Sequence, residues 1–497
     1  MDSQVYEVLK GIAQGGSNGM GADGQNLTRE DLEPVARNTL WSDQQHQAMR
    51  RVPAFAAAQP KHEFALLKSV GNMWNSRVVA EFQTPRREAF RGRRGETFVG
   101  MLAVQNAASL QARLSKQTKV LGESDPFIAN KNALVKLLQA QKNVELWYGD
   151  TRTSHVPSYQ MKGIFQQHEV AHANSGTYPN NPLYMPTTYL VDCRGRRPTR
   201  LQVQQAAGLI REAWGCASDF ACPARVFEDF QFQIEDGFQT ERLMLKEEDG
   251  RPIRIGQPVG GIWTPYGAVD FFEDGFIGRD WRFSAPSEQD SEFVYDDDAL
   301  SAPDAPSVSV NDAAAGSLWE AADIADGVEI KYKIQPIGTD GVIGRISAAS
   351  SVAAVGTGDS VSVTFTTVAS AAAYRILRNS ADFPSRYFEI GRVANSAESL
   401  TFVDKNHIMP GTDQGAVYEM AMPRIMKGGE IHSLAASEID NVISLAYLGD
   451  REGPGQTQGL PAMFAGSAEM IYEFVGPMLS QPRRLVRFIN MGRRAAA

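Results

Sequence analysis

The sequence predicts an α+β chain with an all-β sandwich set into it. Three observations carry this. One strongly periodic helix occupies Asp125–Gly149. Mixed helix and strand texture fills 155–300 and returns after residue 413. Between 301 and 413 the chain is a series of short β-prone runs separated by turn residues at close intervals.

The bulk numbers bound the class. A chain of 497 residues is expected to hold more than one core. Its 43% hydrophobic and 22% charged residues, with a mean hydropathy of −0.29, are those of a globular protein. No run approaches the ~18 apolar residues of a membrane span, and the first residues lack the basic start and apolar stretch of a signal peptide. Met1 stands at the head of the sequence, from which we expect no proteolytic loss of an N-terminal segment. A net charge of −9 argues against a protein that coats nucleic acid. Cys193, Cys216 and Cys222 form no disulfide framework and no C-x-x-C pair, which reads as incidental thiols of a reducing compartment.

Taken in order, residues 1–50 are rich in Gly, Asn, Gln and Asp and read as an extended arm. Residues 51–121 alternate strand-like pieces with the basic stretch "TPRREAFRGRRGE", so a long β-hairpin is expected, with Arg86, Arg87, Arg91, Arg93 and Arg94 at a cationic tip. In the helix that follows, Asp125 suits the N-cap, Pro126 the first position and Gly149 the C-terminal stop. Leu134, Leu137, Leu138, Gln141, Val144 and Tyr148 recur at helical spacing as a mostly apolar face. At 1.5 Å per residue the helix spans about 34 Å.

In the 155–300 body, "TTYLVDC" is a strand and "RLQVQQAAGLIREAWG" a helix capped by Thr199. "RIGQPVGGIWTPYGAVDFFED" is Gly- and Pro-punctuated β material. "YDDDALSAPDAPSVSV" is acidic, then Pro- and Ser-rich, as a linker is. After the sandwich, "SEIDNVISLAYLG" and "AEMIYEFVGPML" read as helical runs and "RRLVRFINMG" as a terminal strand.

One motif carries possible chemistry. "HEVAH" places His168 and His172 one helical turn apart with Glu169 between them, the H-E-x-x-H arrangement in which two imidazoles hold Zn²⁺ and the carboxylate activates water. Its context is poor. Gln166 and Gln167 precede it, "ANSGTYPNNP" breaks the helix soon after, and Ser175 and Tyr178 stand where the longer form needs Gly and His. A downstream Glu such as Glu212 can be proposed as third ligand, but it lies on a helix with its own reading. Asp296, Asp297 and Asp298 suit a hydrated linker better than a Ca²⁺ site. No phosphate-binding loop of the G-x-x-x-x-G-K-[ST] type occurs, and neither a catalytic residue nor a cofactor site is assigned.

The order of these pieces resembles the major capsid proteins of tailed bacteriophages, the HK-ninety-seven-type fold shared with encapsulin shells. "VELWYGD" looks like the "LWYGD"-type helix ending of one such group. "YLVDCRGRRPTRLQVQQAAGLIREAWGCASDFACPARVFEDF" is similar to its strand, turn, helix and strand segment, with Arg196, Arg197 and Pro198 departing from the usual turn. "EIKYKIQPIGTDGVIGRISAAS", "VSVTFTTVASAAAYRILRNS" and "TFVDKNHIMPGT" look like fibronectin type III or immunoglobulin-like pieces in permuted order.

The resemblance implies an N-terminal arm (1–50), an extended β-hairpin loop (51–121), the spine helix of a peripheral domain (122–154), an axial and peripheral α/β body (155–300), the inserted sandwich (301–413) and a C-terminal part of the same domains (414–497). It further implies a protein without catalytic activity or cofactor that assembles with itself, as hexamers and pentamers, into the icosahedral shell of a virion built in the host cytoplasm. Portal, scaffold and decoration proteins would be partners. Packaged DNA would be touched weakly, and no membrane is involved. The hairpin arginines would then meet acidic surface on a neighbouring subunit. The rival readings are a zinc metallopeptidase using His168, Glu169 and His172, an encapsulin-like compartment, and an adhesin built around the sandwich.

Overall fold

The computed structural model describes residues 51–70, 78, 90–109, 126–173, 189–213, 215–237, 260–278, 295, 299–312, 316–320, 323, 329–352, 355–420, 442–448, 456–460 and 466–492. The chain is mixed helix and strand, with strands in the majority. It divides into two compact units. One comprises Met1–Asp43, Met101–Lys142 and Gly449–Phe474; the other comprises Gln44–Gly100, Asn143–Leu448 and Val475–Ala497.

In the first unit, Gln456–Leu460 pairs antiparallel with the leading part of the long strand Gly466–Leu479, and Gly100–Ser109 pairs with that strand as well. Most of helix α1 (Pro126–Tyr148) also belongs here. Charge ties helix to sheet: Lys131 lies 3.2 Å from Glu469 and Lys142 lies 2.7 Å from Glu473, while Asn106 donates to Glu469 at 3.1 Å. The helix keeps the predicted start at Pro126, but not the predicted face. Leu138, Leu146, Trp147 and Tyr148 are buried, whereas Leu137 and Gln141 are exposed. Gly149 follows the helix for a reason other than a left-handed turn. A Cβ there would lie 2.6 Å from the Met161 carbonyl, because the backbone of 161–163 packs directly against it.

The second unit is built on a six-stranded mixed sheet in the order Leu190–Asp192, Leu485–Met491, Asp413–Tyr418, Asp219–Cys222, Gly267–Glu273, Gly261–Thr264. Alternation along these strands sends side chains to two cores. On one side, helices α3 (Arg200–Glu212) and α4 (Ala224–Gly237) place Val203, Ala206, Ile210, Val226 and Phe230 against Phe220, Phe271, Val417 and Phe488. On the other, Tyr418 and Phe272 meet the end of α1, with the Trp147 ring 6.4 Å from Tyr418. Thr199 caps α3, as its sequence predicts, and Gln202 completes a capping box with it.

Two runs expected as helices are strands: Ile443–Leu448 and Gly466–Leu479. Short apolar runs fit either period, and their Ile, Val, Tyr and Phe content suits a pleated sheet. Ile443–Leu448 runs parallel to Ala54–Ala56. The terminal strand, Leu485–Met491, stands as expected and is buried throughout.

Lys61–Val70 and Phe90–Phe98 form a hairpin, in register from Lys61↔Phe98 to Val70↔Phe90 with an irregularity between Leu67 and Ser69. Among the described strands, these two pair only with each other.

Residues 307–404 form seven strands in two sheets. Four pair in the order Ser350–Val352, Ile330–Gly338, Ala371–Arg378, Phe388–Ala394, and three in the order Ser399–Asp404, Ser360–Thr366, Ser307–Asn311. The first of these, Ser307–Asn311, falls in the stretch read as linker. Tyr332, Ile334, Val361, Val363, Phe365, Tyr374 and Ile376 fill the space between the sheets. Beside them, Arg378 is held by Asp404 and by Asn406 (2.7 Å), Tyr332 donates to the same carboxylate at 2.9 Å, and the guanidinium stacks 4.5 Å over Trp319.

Polar clamps join this sandwich to the body. Asn490, with a left-handed φ of 55°, accepts from the Met409 N–H at 2.8 Å and donates to the His407 carbonyl at 3.0 Å and to Asp192 at 2.8 Å. Arg194 donates to the Leu318 carbonyl and lies 3.1 Å from Glu320.

Candidate functional site

The HEVAH stretch lies on helix α2 (Ile164–Ala173), which follows directly after the Gly149–Gly163 backbone contact. Its polar side chains face the C-terminal strands. His168 is fully buried, its Nε2 3.2 Å from the Leu485 carbonyl oxygen. Glu169 accepts from Arg487 at 2.7 Å and from Arg152 at 3.0 Å. Burial alone would raise its pKa; the two guanidiniums outweigh that and hold it down to about 2. Arg487 also donates to Gln414 at 2.8 Å and stacks 4.2 Å over Phe165.

Gln167 donates to the Pro477 carbonyl at 2.9 Å and accepts from the Leu479 N–H at 3.0 Å. Gln166 closes a two-way pair with Thr151. Gln167, His168 and Glu169 thus fasten the helix to the strands Gly466–Leu479 and Leu485–Met491. A general base must be free to take a proton, and a carboxylate shared by two arginines at a pKa of about 2 is too weak a base for that work. His172 stands on the same helix, with its side chain outside the described residues. Among the described residues, no three His, Cys, Asp or Glu side chains come together as a metal-ligand group. Glu212 ends α3, away from α2 in the chain and exposed. Asp296, Asp297 and Asp298 lie outside the described residues. Cys193 and Cys222 are buried, and burial pushes their thiols up, that of Cys193 to about 12, so neither is a reactive thiolate.

Glu169, Arg152, Arg392 and Arg487 border a cavity of about 400 Å³ between the body and the sandwich. Its charges are matched within each wall, Arg152 with Asp150 (2.8 Å) and Arg392 with Glu389 (2.8 Å). It is a polar seam.

Three of the five hairpin arginines are placed differently from expectation. Arg91, Arg93 and Arg94 belong to the second strand, opposite Ser69, Leu66 and Ala65, and so are not in the turn. Arg86 and Arg87 lie outside the described residues, as do the side chains of the other three.

Sequence reasoning missed the anchor of α1. Trp147 Nε1 donates to Asp274 at 2.8 Å and the Tyr148 hydroxyl donates to the Ile277 carbonyl at 2.7 Å. Asp274 is completely buried. Burial raises its pKa to about 6, against the pull of its bonds from Trp147 and the Phe276 N–H. The "LWYGD" string carried the signal for this site, but its partner 127 residues away did not.

No protein-family model matches the chain, and no curated protein does. Among solved structures, similar chains include the capsid of a native GTA particle, with a TM-score of 0.40 and 9% identity over 95% of this chain and 99% of that one. Gordonia phage Cozz gives 0.39 and 8% over 97% of each chain. The holo-encapsulin complex of Synechococcus elongatus gives 0.36 and 7% over 96% of this chain and 98% of that one. Likeness at this level is loose, and the chain's own elements carry the functional reading.

Proposed function

We propose that this chain is the major capsid protein of a tailed phage, a shell subunit of the HK-ninety-seven type without catalytic activity. The observation that carries the reading is the hairpin Lys61–Phe98. Its arms of ten and nine residues pair with each other and with no other described strand. A lone two-stranded ribbon is marginal in water. Arms this long call for a surface that their own sheet does not supply, and in a shell the neighbouring subunit supplies it. The hairpin arginines contribute to that contact, which salt therefore weakens. Reading α2 as a fastening of the body removes the main support for the peptidase alternative.

The inserted domain is immunoglobulin- or fibronectin III-like in this reading. Seven strands divide four and three, and Tyr374 bonds back to Val368, taking its N–H at 2.6 Å, in the manner of a tyrosine corner. The domain sits on the outside of a particle that encloses DNA, with portal and scaffold as further partners. Velocity sedimentation and negative-stain microscopy of the purified chain test this. Closed megadalton shells, or hexamers and pentamers that convert to them, are expected; a persistent 54.4 kDa monomer overturns it. Shells filled with protein cargo in place of DNA would favour an encapsulin-like compartment.

A further inference from the structure

We propose that the sheet edge bearing Trp263 and Tyr266 is a docking surface for a second copy of this chain, which meets it with the arginine-rich start of helix α3. The proposal rests on the shell reading and names a contact within it.

Trp263 is 77% exposed. It sits on Gly261–Thr264, the last of the described strands in the six-stranded sheet. Its neighbours Ile262 and Thr264 are buried, so alternation presents the indole outward from a fixed backbone. Tyr266, 45% exposed, follows at the turn with its ring beside Gly208 of α3, where a Cβ would stand 3.4 Å from it. Large aromatics on an edge strand are costly to leave in water and are the residue types that dominate interfaces. Exposed carboxylates flank them: Asp270, in register with Gly261, and Glu212, beside the like-exposed Arg211.

The other end of α3 has the opposite character. Arg196, Arg197 and Arg200 are exposed there, and Leu201 is 62% exposed. Arg197 reaches Asp229 at 3.3 Å, leaving Arg196 and Arg200 as the outward cations. The Thr199 capping box fixes this turn. From Arg200 to Gly208 the helix rises about 12 Å, so one copy presents both surfaces at separate places.

Guanidinium over indole, Leu201 against the aromatic edge and arginine with Asp270 or Glu212 are matched chemistries. A contact between unlike patches of identical copies is head-to-tail, and such contacts form a ring where the rotation between copies closes and a filament where it does not. A ring is what a capsomer is.

The test uses the full chain and follows assembly by light scattering and velocity sedimentation over a concentration series. Trp263→Ala, and separately Arg196→Glu with Arg200→Glu, are each expected to raise the concentration needed for assembly tenfold or more. Trp263→Phe is expected to stay within threefold of wild type. Thermal unfolding of the unassembled chain should be unchanged, because all three side chains are exposed. If wild type assembles and both variants assemble at its threshold, the docking proposal is wrong and the shell reading stands. If only the tryptophan variant is impaired, the arginine partner is wrong. If wild type never assembles, the shell reading fails and takes this proposal with it.

Discussion

Glu169 shows how a catalytic-looking motif is absorbed by structure. Its carboxylate holds Arg487, which is buried, to Arg152 at the surface. Glu169→Gln leaves Arg487 without its anion. The expected cost is about 1–2 kcal/mol, between the exposed-pair and buried-pair ranges because the carboxylate is 44% exposed. Chemical denaturation checks this, and zinc content should not change. The pH dependence has a definite sign. The folded pKa of Glu169 lies near 2, below the ordinary 4.5, so its contribution is present above pH 4.5 and is lost as pH falls toward 2. Asp274 works the other way. Its folded value of about 6 exceeds the ordinary 3.8, so the unfolded chain releases that proton first and stability falls as pH rises from about 4 to 6. Asp274→Asn, which keeps an acceptor for Trp147, should flatten that fall. Urea midpoints at pH 4.5 and pH 7 differ less in the variant if this is right.

At the scale of elements, what the sequence made legible was local. Pro126 marked the start of α1, Thr199 marked the cap of α3, and close turn residues marked most sandwich strands. What stayed hidden was set by long-range contact. Ile443–Leu448 and Gly466–Leu479 have apolar runs compatible with either period, and pairing decided for strand. Asn490 is one polar residue in an apolar run, and its role appears only when residues 192, 407 and 409 arrive around it. The HEVAH helix was legible as an unlikely zinc site from its flanking glutamines. That those glutamines bind the strand ending at Leu479 was not. Inside the sandwich, Arg378 is buried with Asp404 and Asn406. Arg378→Met strands the Asp404 charge beside Tyr332, and a loss of about 3–5 kcal/mol is expected. Calorimetry should show it; a change under 1 kcal/mol would mean that the Trp319 packing carries the site.

For the whole molecule, the sandwich is fastened to the body through Arg194, Asn490 and a charge-matched seam. Deleting 303–412 removes the partners of these clamps, but both strands that flank the gap, Gly267–Glu273 and Asp413–Tyr418, stay in the body sheet. Shells are expected to form without it at lower thermal stability; complete failure to assemble would show that the domain is integral to subunit contacts. The hairpin is the reverse case, since its strands pair with no other described strand.

The most direct measurement is therefore the sedimentation profile of the purified full chain, with negative-stain images of the same fractions. Closed particles in the megadalton range are expected, reached through rings of subunits and shifted toward free subunits by salt. A single 54.4 kDa species at every concentration and salt would contradict it.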